Sequence, residues 1–350
     1  MDDSDSNIYF TETGCSNCDR ALSELEDWKT FKPDSSEFNE YLDQFRNNNH
    51  DFDFVIGLSG GVDSSYLLHV LKKANLRVQA LHIDAGWNSK IATSNIFRIT
   101  EKLKIPLKTI VIPWEPMRKL QLAYLKSGVM NQDVPQDHLF TTRVKRFAAQ
   151  LGIEKIASGW NYSSESILPT SWSYSPRDGR QIKHIGKIHG VTKDDLSKLE
   201  IMSQLSQYYS FSLKNKSRTI KPLNYLNYNR DIAKDLLSIE YNWQDYGGKH
   251  EESRWTKFYQ GYWLPKRWGI DKRKAHLSSQ IISKQITRED ALQILKKPIL
   301  DELEAEQEFT FVANKLRIST HDLENFMLSR KVSHESLKGD HLIRKMRKLL

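Results

Sequence analysis

Short apolar runs alternate with stretches of helical spacing through the first half of the chain. The apolar runs have the length of strands buried on both faces, and they lie at 54–58, 77–83, 107–112 and 154–157. The intervening stretches place apolar side chains along one side of a helix, and they lie at 64–76, 91–103, 117–125 and 138–151. This alternation predicts an α/β fold with a doubly wound parallel sheet and right-handed crossovers, and it leaves the order of the strands open.

The loop after the first predicted strand reads Ser59-Gly60-Gly61-Val62-Asp63-Ser64. Its glycines allow backbone angles that are closed to other residues, and they let the main chain approach a ligand closely. The following helix offers unpaired N–H groups and the positive end of its dipole, which together favour phosphate. We therefore predict that residues 59–64 bind the phosphates of a nucleotide and that Asp63 contacts a metal ion that bridges them, such as Mg²⁺. The Walker pattern and the dinucleotide pattern are both absent.

Polar residues also follow two other predicted strands. Asp84 ends the second strand, and Asn161 and Glu165 follow the fourth. Open parallel sheets bind their ligands at the carboxyl ends of the strands. We therefore predict that Asp63, Asp84, Asn161 and Glu165 are catalytic residues, which fix the substrate or contact the metal.

The segment SGGVDSS resembles the pyrophosphate loop of the ATP pyrophosphatases, which split ATP between the α and β phosphates to adenylate a carbonyl oxygen. Further motifs narrow the resemblance, and in order they read HIDAGWNS at 82–89, QDHLF at 136–140, GWNYSSE at 159–165, YGGKHEESR at 246–254 and DKRKAHLSS at 271–279. Together they resemble the N-acetyl sugar amidotransferases of bacterial surface-polysaccharide and nonulosonic acid synthesis, over about residues 7–295.

This resemblance implies an adenine nucleotide α-hydrolase-like fold and an enzyme that uses ATP and Mg²⁺. Family members activate the acetamido oxygen of an N-acetylated sugar or sugar nucleotide, and ammonia then displaces AMP to leave an acetamidino group. The resemblance also implies two partners that supply the ammonia. They are a separate glutaminase and a cyclase-like channelling subunit, similar to the histidine-pathway pair.

A run of basic and aromatic residues extends from Tyr246 to Ser279, with Gly247 and Gly248 near its head. Such a run is compatible with a solvated basic face or with stacking of single-stranded nucleic acid. The glycine pair permits close backbone approach, however, and the acidic pair at 251–252 would repel an extended phosphate chain. We favour a compact pocket for ATP phosphates or a sugar nucleotide diphosphate, formed by Lys249, His250, Arg254, Lys272, Arg273 and His276.

Cys15 and Cys18 are the only cysteines of the chain. A Cys-x-x-Cys pair supplies two of the four ligands of a structural zinc site, and related amidotransferases usually begin with a second such pair, which has no counterpart upstream here. Two reduced thiols are the favoured state, since zinc would need His or Asp donors or a neighbouring subunit. The lack of later cysteines argues against cysteine-based tRNA thiolation and against a glutaminase within this chain.

The composition, with 39 % hydrophobic residues and a net charge of +8, fits a cytoplasmic enzyme without a signal peptide or membrane span. We expect an N-terminal segment at 1–50, a nucleotide-binding domain at 51–172, a mainly helical substrate lobe at 173–300 and a helical appendage at 301–350. Within these, we expect a loop at 171–189, helices at 191–245, two helices at 277–295 with Thr287 as a cap, and a solvated basic helix end at 344–348.

Two other functions stay open at this level. A tRNA-modifying ATP pyrophosphatase of the lysidine type would need the same loop, no cysteine and a basic surface. A nucleotide-binding regulatory protein with a degenerate site is disfavoured by the intact Ser-Gly-Gly-x-Asp-Ser. Nucleic acid is not expected as a partner, and binding of tRNA would discriminate the first alternative.

Overall fold

A parallel sheet of five strands lies at the centre of the computed structural model, which describes residues 1–12, 14–26, 30–33, 35–47 and 49–340. The strands are β1 (Phe54–Gly57), β2 (Val78–Asp84), β3 (Leu107–Val111), β4 (Lys155–Ala157) and β5 (Arg218–Ile220). Their order is β3-β2-β1-β4-β5, and every neighbouring pair is parallel. The predicted parallel sheet is confirmed. The chain changes direction across the sheet between β1 and β4, which is where such sheets bind ligands.

The helices are, in chain order, α1 (Ser16–Glu26), α2 (Ser36–Asp43), α3 (Val62–Lys73), α4 (Lys90–Leu103), α5 (Trp114–Ser127), α6 (Val134–Gln150), α7 (Tyr162–Glu165), α8 (Gly179–Ile188), α9 (Lys193–Leu199), α10 (Gln204–Gln207), α11 (Arg230–Tyr241), α12 (Arg254–Phe258), α13 (Leu264–Trp268), α14 (Arg273–Ile282), α15 (Arg288–Lys296), α16 (Glu302–Leu316) and α17 (Thr320–Leu328). Segments of π-helix lie at Tyr208–Lys214 and Tyr259–Trp263, and 3₁₀ turns lie at Thr170–Trp172, Pro222–Tyr225 and His334–Ser336.

The side chains of β1 alternate between two cores. Phe54 and Ile56 pack with α3, α4 and α11 on one face, whereas Val55 packs with α5, α6 and α8 on the other. A strand that is covered on both faces needs apolar residues at every position, which explains the continuous apolar run. Helices therefore cover both faces of the sheet, in the predicted doubly wound arrangement.

Two regions differ from the sequence prediction. The segment 171–189 contains α8 instead of being a loop throughout, because Ile182 and Ile185 bury their side chains in the core shared with α5. Residues 218–220 form β5, which pairs with β4, in a stretch predicted to be helical. The side chains of β5 are mostly exposed, so no apolar run marks it in the sequence. The boundary predicted after residue 172 consequently falls within the sheet domain.

The C-terminal helices share a core with the loop after β2. Trp87 from that loop is buried among Trp255, Phe258 and Val312 of α12 and α16. The two helices predicted at 277–295 are confirmed as α14 and α15, and Thr287 caps α15 through a capping box. No helix in the described ranges is both long and apolar enough to span a bilayer. The basic residues at 344–348 lie outside the described residues.

Candidate active site

The phosphate loop connects β1 to α3 through a turn that only glycine can make at its centre. Gly60 has a φ of +84°, and a Cβ at this position would lie 2.2 Å from the carbonyl oxygen of Ala92 in α4. Both the backbone angle and the close approach therefore exclude a side chain. The turn carries the chain into the first turn of α3, where residues 61–64 line a pocket.

The N-terminal end of α3 carries no side-chain cap at Gly61. Instead, the hydroxyl of Tyr246 approaches the backbone N–H of Val62. The Oγ of Ser59 accepts a hydrogen bond from the N–H of Gly61 at 3.2 Å and lies 3.2 Å from the Oγ of Ser64. Hydroxyl groups and the positive end of the helix dipole thus meet at one point, which favours an anionic ligand.

Lys249 joins the phosphate loop to the carboxyl end of β4. Its ammonium lies 3.0 Å from a carboxylate oxygen of Asp63, 2.9 Å from one of Glu165 and 2.7 Å from the hydroxyl of Ser164. The hydroxyl of Tyr228 donates a hydrogen bond to the other carboxylate oxygen of Asp63. Asp63, Glu165 and Lys249, which the sequence predicted separately as site residues, are therefore in direct contact.

Charge pairing keeps Lys249 and Glu165 ionised. Burial alone would lower the pKa of Lys249, but Asp63 and Glu165 outweigh it and raise the pKa. Burial would likewise raise the pKa of Glu165, but Lys249 and His250 hold it well below its usual range. The Nε2 of His250 lies 3.4 Å from the Glu165 carboxylate. The pocket therefore presents a buried ammonium together with carboxylates at neutral pH.

The phosphate pocket includes residues to which the sequence gave no site role, namely Trp160, Arg230, Tyr246 and Glu252. The Nε of Arg230 and the Oε2 of Glu252 are buried without a hydrogen-bond partner in the part of the chain that the structure describes. A phosphate oxygen could satisfy the first group, and a phosphate-bound cation the second. The motif YGGKHEES contains Tyr246 and Glu252, so the sequence could have marked both as pocket residues. Arg230 reaches the pocket from α11 and belongs to no motif that would have marked it.

Asn161 and Asp84 were predicted to be catalytic, and the structure gives both of them local structural contacts. Asn161 is fully buried and caps α7, since its side-chain oxygen accepts from the N–H of Ser164 at 3.0 Å. Asp84 accepts from the N–H of Gly86 at 2.7 Å and thereby shapes the turn after β2. Neither lines the phosphate pocket.

A second cavity, of about 500 Å³, adjoins the phosphate pocket and shares Arg230, Tyr246 and Lys249 with it. Six basic residues line this cavity: Arg230, Lys249, Lys257, Lys272, Arg273 and His276. Arg273 is already paired with Asp271 at 2.8 Å. The cavity thus gathers four of the six residues that the sequence predicted for an anionic pocket, while His250 lines the phosphate pocket beside it.

His276 is neutral in this cavity. Burial first, and then the charges of Lys249, His250 and Lys272, hold its pKa well below the usual range. Its Nδ1 lies 2.9 Å from the carbonyl oxygen of Ser164, so the proton is placed on Nδ1, which donates to that oxygen. Its Nε2 is buried without a partner in the described ranges and is left as an acceptor for a donor group of a ligand.

Arg254, the remaining predicted substrate cation, lies outside both pockets. Its guanidinium pairs with Glu308 of α16 at 2.9 Å and stacks 3.3 Å from the ring centre of Phe311. The first turn of α12 directs this side chain toward α16 instead of toward the phosphate loop. The geometry therefore corrects the prediction for Arg254, which joins two helices of the C-terminal core.

The Cys15 and Cys18 sulfurs lie 3.5 Å apart, and Cys15 is buried. Burial and the neighbouring Cys15 raise the pKa of Cys18 to about 11, so the thiol carries its proton at neutral pH. No cluster of three or more His, Cys, Asp or Glu side chains that could hold a metal occurs in residues 1–340, apart from the positions that the structure does not describe. A structural zinc site needs four ligands, and the described residues place no further His, Cys, Asp or Glu ligand with this pair.

Family models match two separate regions of the chain. Residues 53–174 match the family described as queuosine biosynthesis protein QueC, and residues 252–350 match the family described as LPS biosynthesis protein WbpG-like, C-terminal domain. The first match contains the phosphate loop and strands β1–β4. The second contains Glu252, Lys272 and His276, which line the pockets described above.

Curated relatives match over shorter parts of the chain. It is 37 % identical over 73 residues to the tRNA(Ile)-lysidine synthase of Actinobacillus pleuropneumoniae serotype 3, which covers 20 % of this chain and 16 % of that protein. It is 32 % identical over 127 residues to the tRNA-specific 2-thiouridylase MnmA of Vesicomyosocius okutanii, which covers 33 % of this chain and 35 % of that protein. The chain thus spans well under two thirds of the length of either relative.

Among solved structures, the NMN synthetase from Francisella tularensis matches 61 % of this chain and 94 % of its own, at 19 % identity and a TM-score of 0.31. The U34-tRNA thiolase NcsA from Methanococcus maripaludis matches 77 % of this chain and 84 % of its own, at 16 % identity and a TM-score of 0.34.

Proposed function

Because the chain belongs to the PP-loop ATP pyrophosphatase superfamily and carries a WbpG-like domain of lipopolysaccharide biosynthesis proteins, we propose that it is an ATP-dependent amidotransferase that acts on an N-acetylated sugar. The observation that carries this proposal is the second cavity, which opens beside the phosphate pocket. Residues of the WbpG-like region, among them Lys272, Arg273 and His276, line this cavity. Its basic lining suits a sugar that carries a phosphate or a nucleoside diphosphate.

The chemistry follows from the weakness of an amide oxygen as a leaving group. The acetamido oxygen attacks the α-phosphorus of ATP, pyrophosphate departs, and the resulting imidate carbon accepts ammonia and releases AMP. In this reaction the N-terminal end of α3 and Arg230 would hold the pyrophosphate. The positive charge of Lys249 would reduce the repulsion between the negative phosphates and the Glu165 carboxylate. The buried acceptor of His276 would orient a donor group of the sugar.

Mg²⁺ would lower the charge of the ATP phosphates. Both oxygens of Asp63 are engaged by Tyr228 and Lys249, whereas the Oε2 of Glu252 is buried without a partner in the described ranges. Glu252 therefore fits a phosphate-bound cation better than Asp63, the residue that the sequence suggested. Since the described residues hold no cluster of three or more metal-ligating side chains, most of the ligands would be phosphate oxygens and water.

We further propose that ammonia reaches this site in the cytoplasm from a separate glutaminase through a cyclase-like channelling subunit. The chain holds no cysteine after Cys18 that could serve as a glutaminase nucleophile. Free ammonia is mostly protonated at neutral pH, so a channelled supply would avoid the loss of the nucleophile.

The test is incubation of the protein with ATP, Mg²⁺, ammonium chloride and a panel of acetamido sugars, both free and as nucleoside diphosphates. We expect AMP and pyrophosphate in equal amounts and a product about one mass unit lighter than the sugar, since C=O becomes C=NH. Formation of ADP would contradict the chemistry. Tight tRNA binding without sugar turnover would favour a tRNA-modifying enzyme, the class to which both curated relatives belong by name.

A further inference from the structure

A third pocket lies beside the phosphate loop on the side of the sheet that faces α6. It has a volume of about 390 Å³ and an apolar floor formed by Leu58, Leu81, Ile83, Phe140 and Val144. It shares Ser59, His250 and Glu252 with the phosphate pocket, and it shares Thr256, Gln260 and Lys272 with the basic cavity. A group bound here therefore lies next to both the phosphates and the sugar of the proposed reaction.

Two carboxylates from the start of α6 form one wall of this pocket. Asp133 is 9 % exposed, and its Oδ1 is buried without a hydrogen-bond partner in the part of the chain that the structure describes. Asp137 lies one helical turn further on, and its side chain is accessible from the pocket. A buried carboxylate oxygen without a donor is unfavourable, so its presence in a pocket wall indicates a ligand that donates hydrogen bonds.

Charged and titratable groups surround this pair. Lys272 and His250 face both carboxylates across the pocket, and the phenol of Tyr259 lies close to them. Burial raises the pKa of Asp133. Asp137 is exposed at the surface of the pocket, yet desolvation by the surrounding protein, together with the neighbouring Asp133, raises its pKa to about 7. Lys272 and His250 act in the opposite direction on both carboxyl groups, and the side-chain donors of Gln260 and Trp255 do so on Asp133, whose Oδ1 nevertheless has no hydrogen-bond partner among the described residues. Asp137 is therefore suited to exchange a proton near neutral pH.

The second half of the proposed reaction requires a proton acceptor at this position. The lone pair of ammonia forms the new C–N bond at the imidate carbon, while the C=N π pair moves to the sugar nitrogen. The added nitrogen then carries three hydrogens and a positive charge. If it kept all three, neutral ammonia would be the easier group to expel. Removal of one proton lets the C–O bond break instead: the electron pair on the sugar nitrogen re-forms the C=N bond of the amidine, and the C–O electron pair leaves on the oxygen of AMP.

We propose that Asp133 and Asp137 form the binding site for the incoming ammonia and that Asp137 accepts the proton from the added nitrogen. This inference rests on the function proposed above. The Oδ1 of Asp133, which has no hydrogen-bond partner among the described residues, would accept a hydrogen bond from an N–H of ammonia, and Asp137 lines the same pocket one helical turn away. Ammonia is neutral and donates hydrogen bonds, so it is compatible with the charge of Lys272 across the pocket. A divalent cation would be repelled by that ammonium.

The test compares Asp137→Asn, Asp137→Glu and the exposed control Asp235→Asn in the full chain. Two rates are measured, sugar-dependent release of pyrophosphate and formation of the amidino sugar by mass, over a range of ammonium concentration and pH. In Asp137→Asn, pyrophosphate release should persist, while amidino product falls about 100-fold or more at saturating ammonium. The loss should lie in kcat, and the rise of the wild-type rate through pH 7 should disappear. Asp137→Glu should recover part of the rate, and Asp235→Asn should match the wild type.

Hydroxylamine provides a second measurement, since it is a weaker base than ammonia, is largely unprotonated at neutral pH, and loses a proton more readily once its nitrogen has been added. It should give more product relative to ammonium in Asp137→Asn than in the wild type. Intact pyrophosphate release with wild-type amidino formation in Asp137→Asn would overturn the inference alone. Equal loss of both rates in a variant that retains its melting temperature would also overturn it. If the wild type releases no pyrophosphate with any acetamido sugar, the proposed function fails and the inference fails with it.

Discussion

The ammonium of Lys249 lies 3.0 Å from Asp63 in the first turn of α3, although 186 positions separate the two residues along the chain. The same ammonium lies 2.9 Å from Glu165. One cation thus stabilises two carboxylates that would otherwise repel each other beside the phosphate loop. The phosphates of ATP would compete with these carboxylates for the ammonium of Lys249. Because Lys249 belongs to the segment 246–252, nucleotide binding would also affect that segment.

Substitution of Lys249 by Met should destabilise the fold as well as abolish turnover. It would leave Asp63 and Glu165 buried and without their common cation, and breaking such a pair costs about 3–5 kcal/mol. The exposed pair of Lys198 and Asp194, 2.6 Å apart, provides the control, and Lys198→Met should leave the unfolding free energy almost unchanged. Urea denaturation of both variants measures this difference. Equal unfolding free energies would contradict a structural role for Lys249.

A side chain at Gly61 should block the phosphate pocket without unfolding the protein. A Cβ there would lie 3.0 Å from the Tyr246 hydroxyl and 3.1 Å from the Glu252 carboxylate, both on flexible side chains that line the pocket. We expect Gly61→Val to reduce AMP release about 100-fold or more, because the helix end no longer admits phosphate. Gly14→Val is the control, since its added Cβ would make only ordinary contacts at 3.7 Å and beyond. Normal AMP release by Gly61→Val would refute the assignment of the loop.

Arg230 and Arg254 should respond differently to substitution by Gln. Arg230 lines the phosphate pocket with a partnerless Nε among the described residues, so Arg230→Gln should raise the KM for ATP or lower kcat with little change in melting temperature. Arg254 instead pairs with Glu308 at 2.9 Å, so Arg254→Gln should cost about 1–3 kcal/mol of stability and leave the KM unchanged. Steady-state kinetics and thermal melting measure these effects. A raised KM with unchanged stability in Arg254→Gln would show that Arg254 contacts the substrate after all.

His138 should make the fold sensitive to mild acid. It is buried and neutral, with Nδ1 donating to the Pro176 carbonyl at 2.6 Å and Nε2 accepting from the Met202 N–H at 3.1 Å. Burial lowers its pKa from 6.5 to about 4, so below pH 6.5 the unfolded chain takes up a proton that the folded protein refuses. Its stabilisation is complete above pH 6.5 and is lost as the pH falls toward 4, by about 3 kcal/mol in all.

The measurement is the unfolding free energy of the wild type and of His138→Gln between pH 7 and pH 4. The wild type should lose more stability over this interval than the variant, whereas the exposed control His321→Gln should follow the wild type. Parallel curves for wild type and His138→Gln would show that His138 is not the acid-sensitive group.

The sequence was sufficient wherever the signal is local. Residues 54–76 contain a continuous apolar run, a glycine pair and a switch to helical spacing. These three signals predict β1, the phosphate loop and α3, respectively, because strand burial, turn angles and helix formation each depend on residues that are neighbours in the sequence. The capped helix α15 was predictable for the same reason. β5 was not, because its three residues are mostly exposed and pair with β4 only after the chain has folded.

The composition of the site was decided by the tertiary structure. Sequence alone marked Asp63, Glu165 and Lys249 by residue type and position, but only packing brings both carboxylates within 3.0 Å of the Lys249 ammonium. Packing also brings Arg230 into the pocket and turns Arg254 toward Glu308. Residue type specifies which charges are present, whereas a salt bridge or a ligand contact depends on distances of a few ångströms that only the folded chain sets.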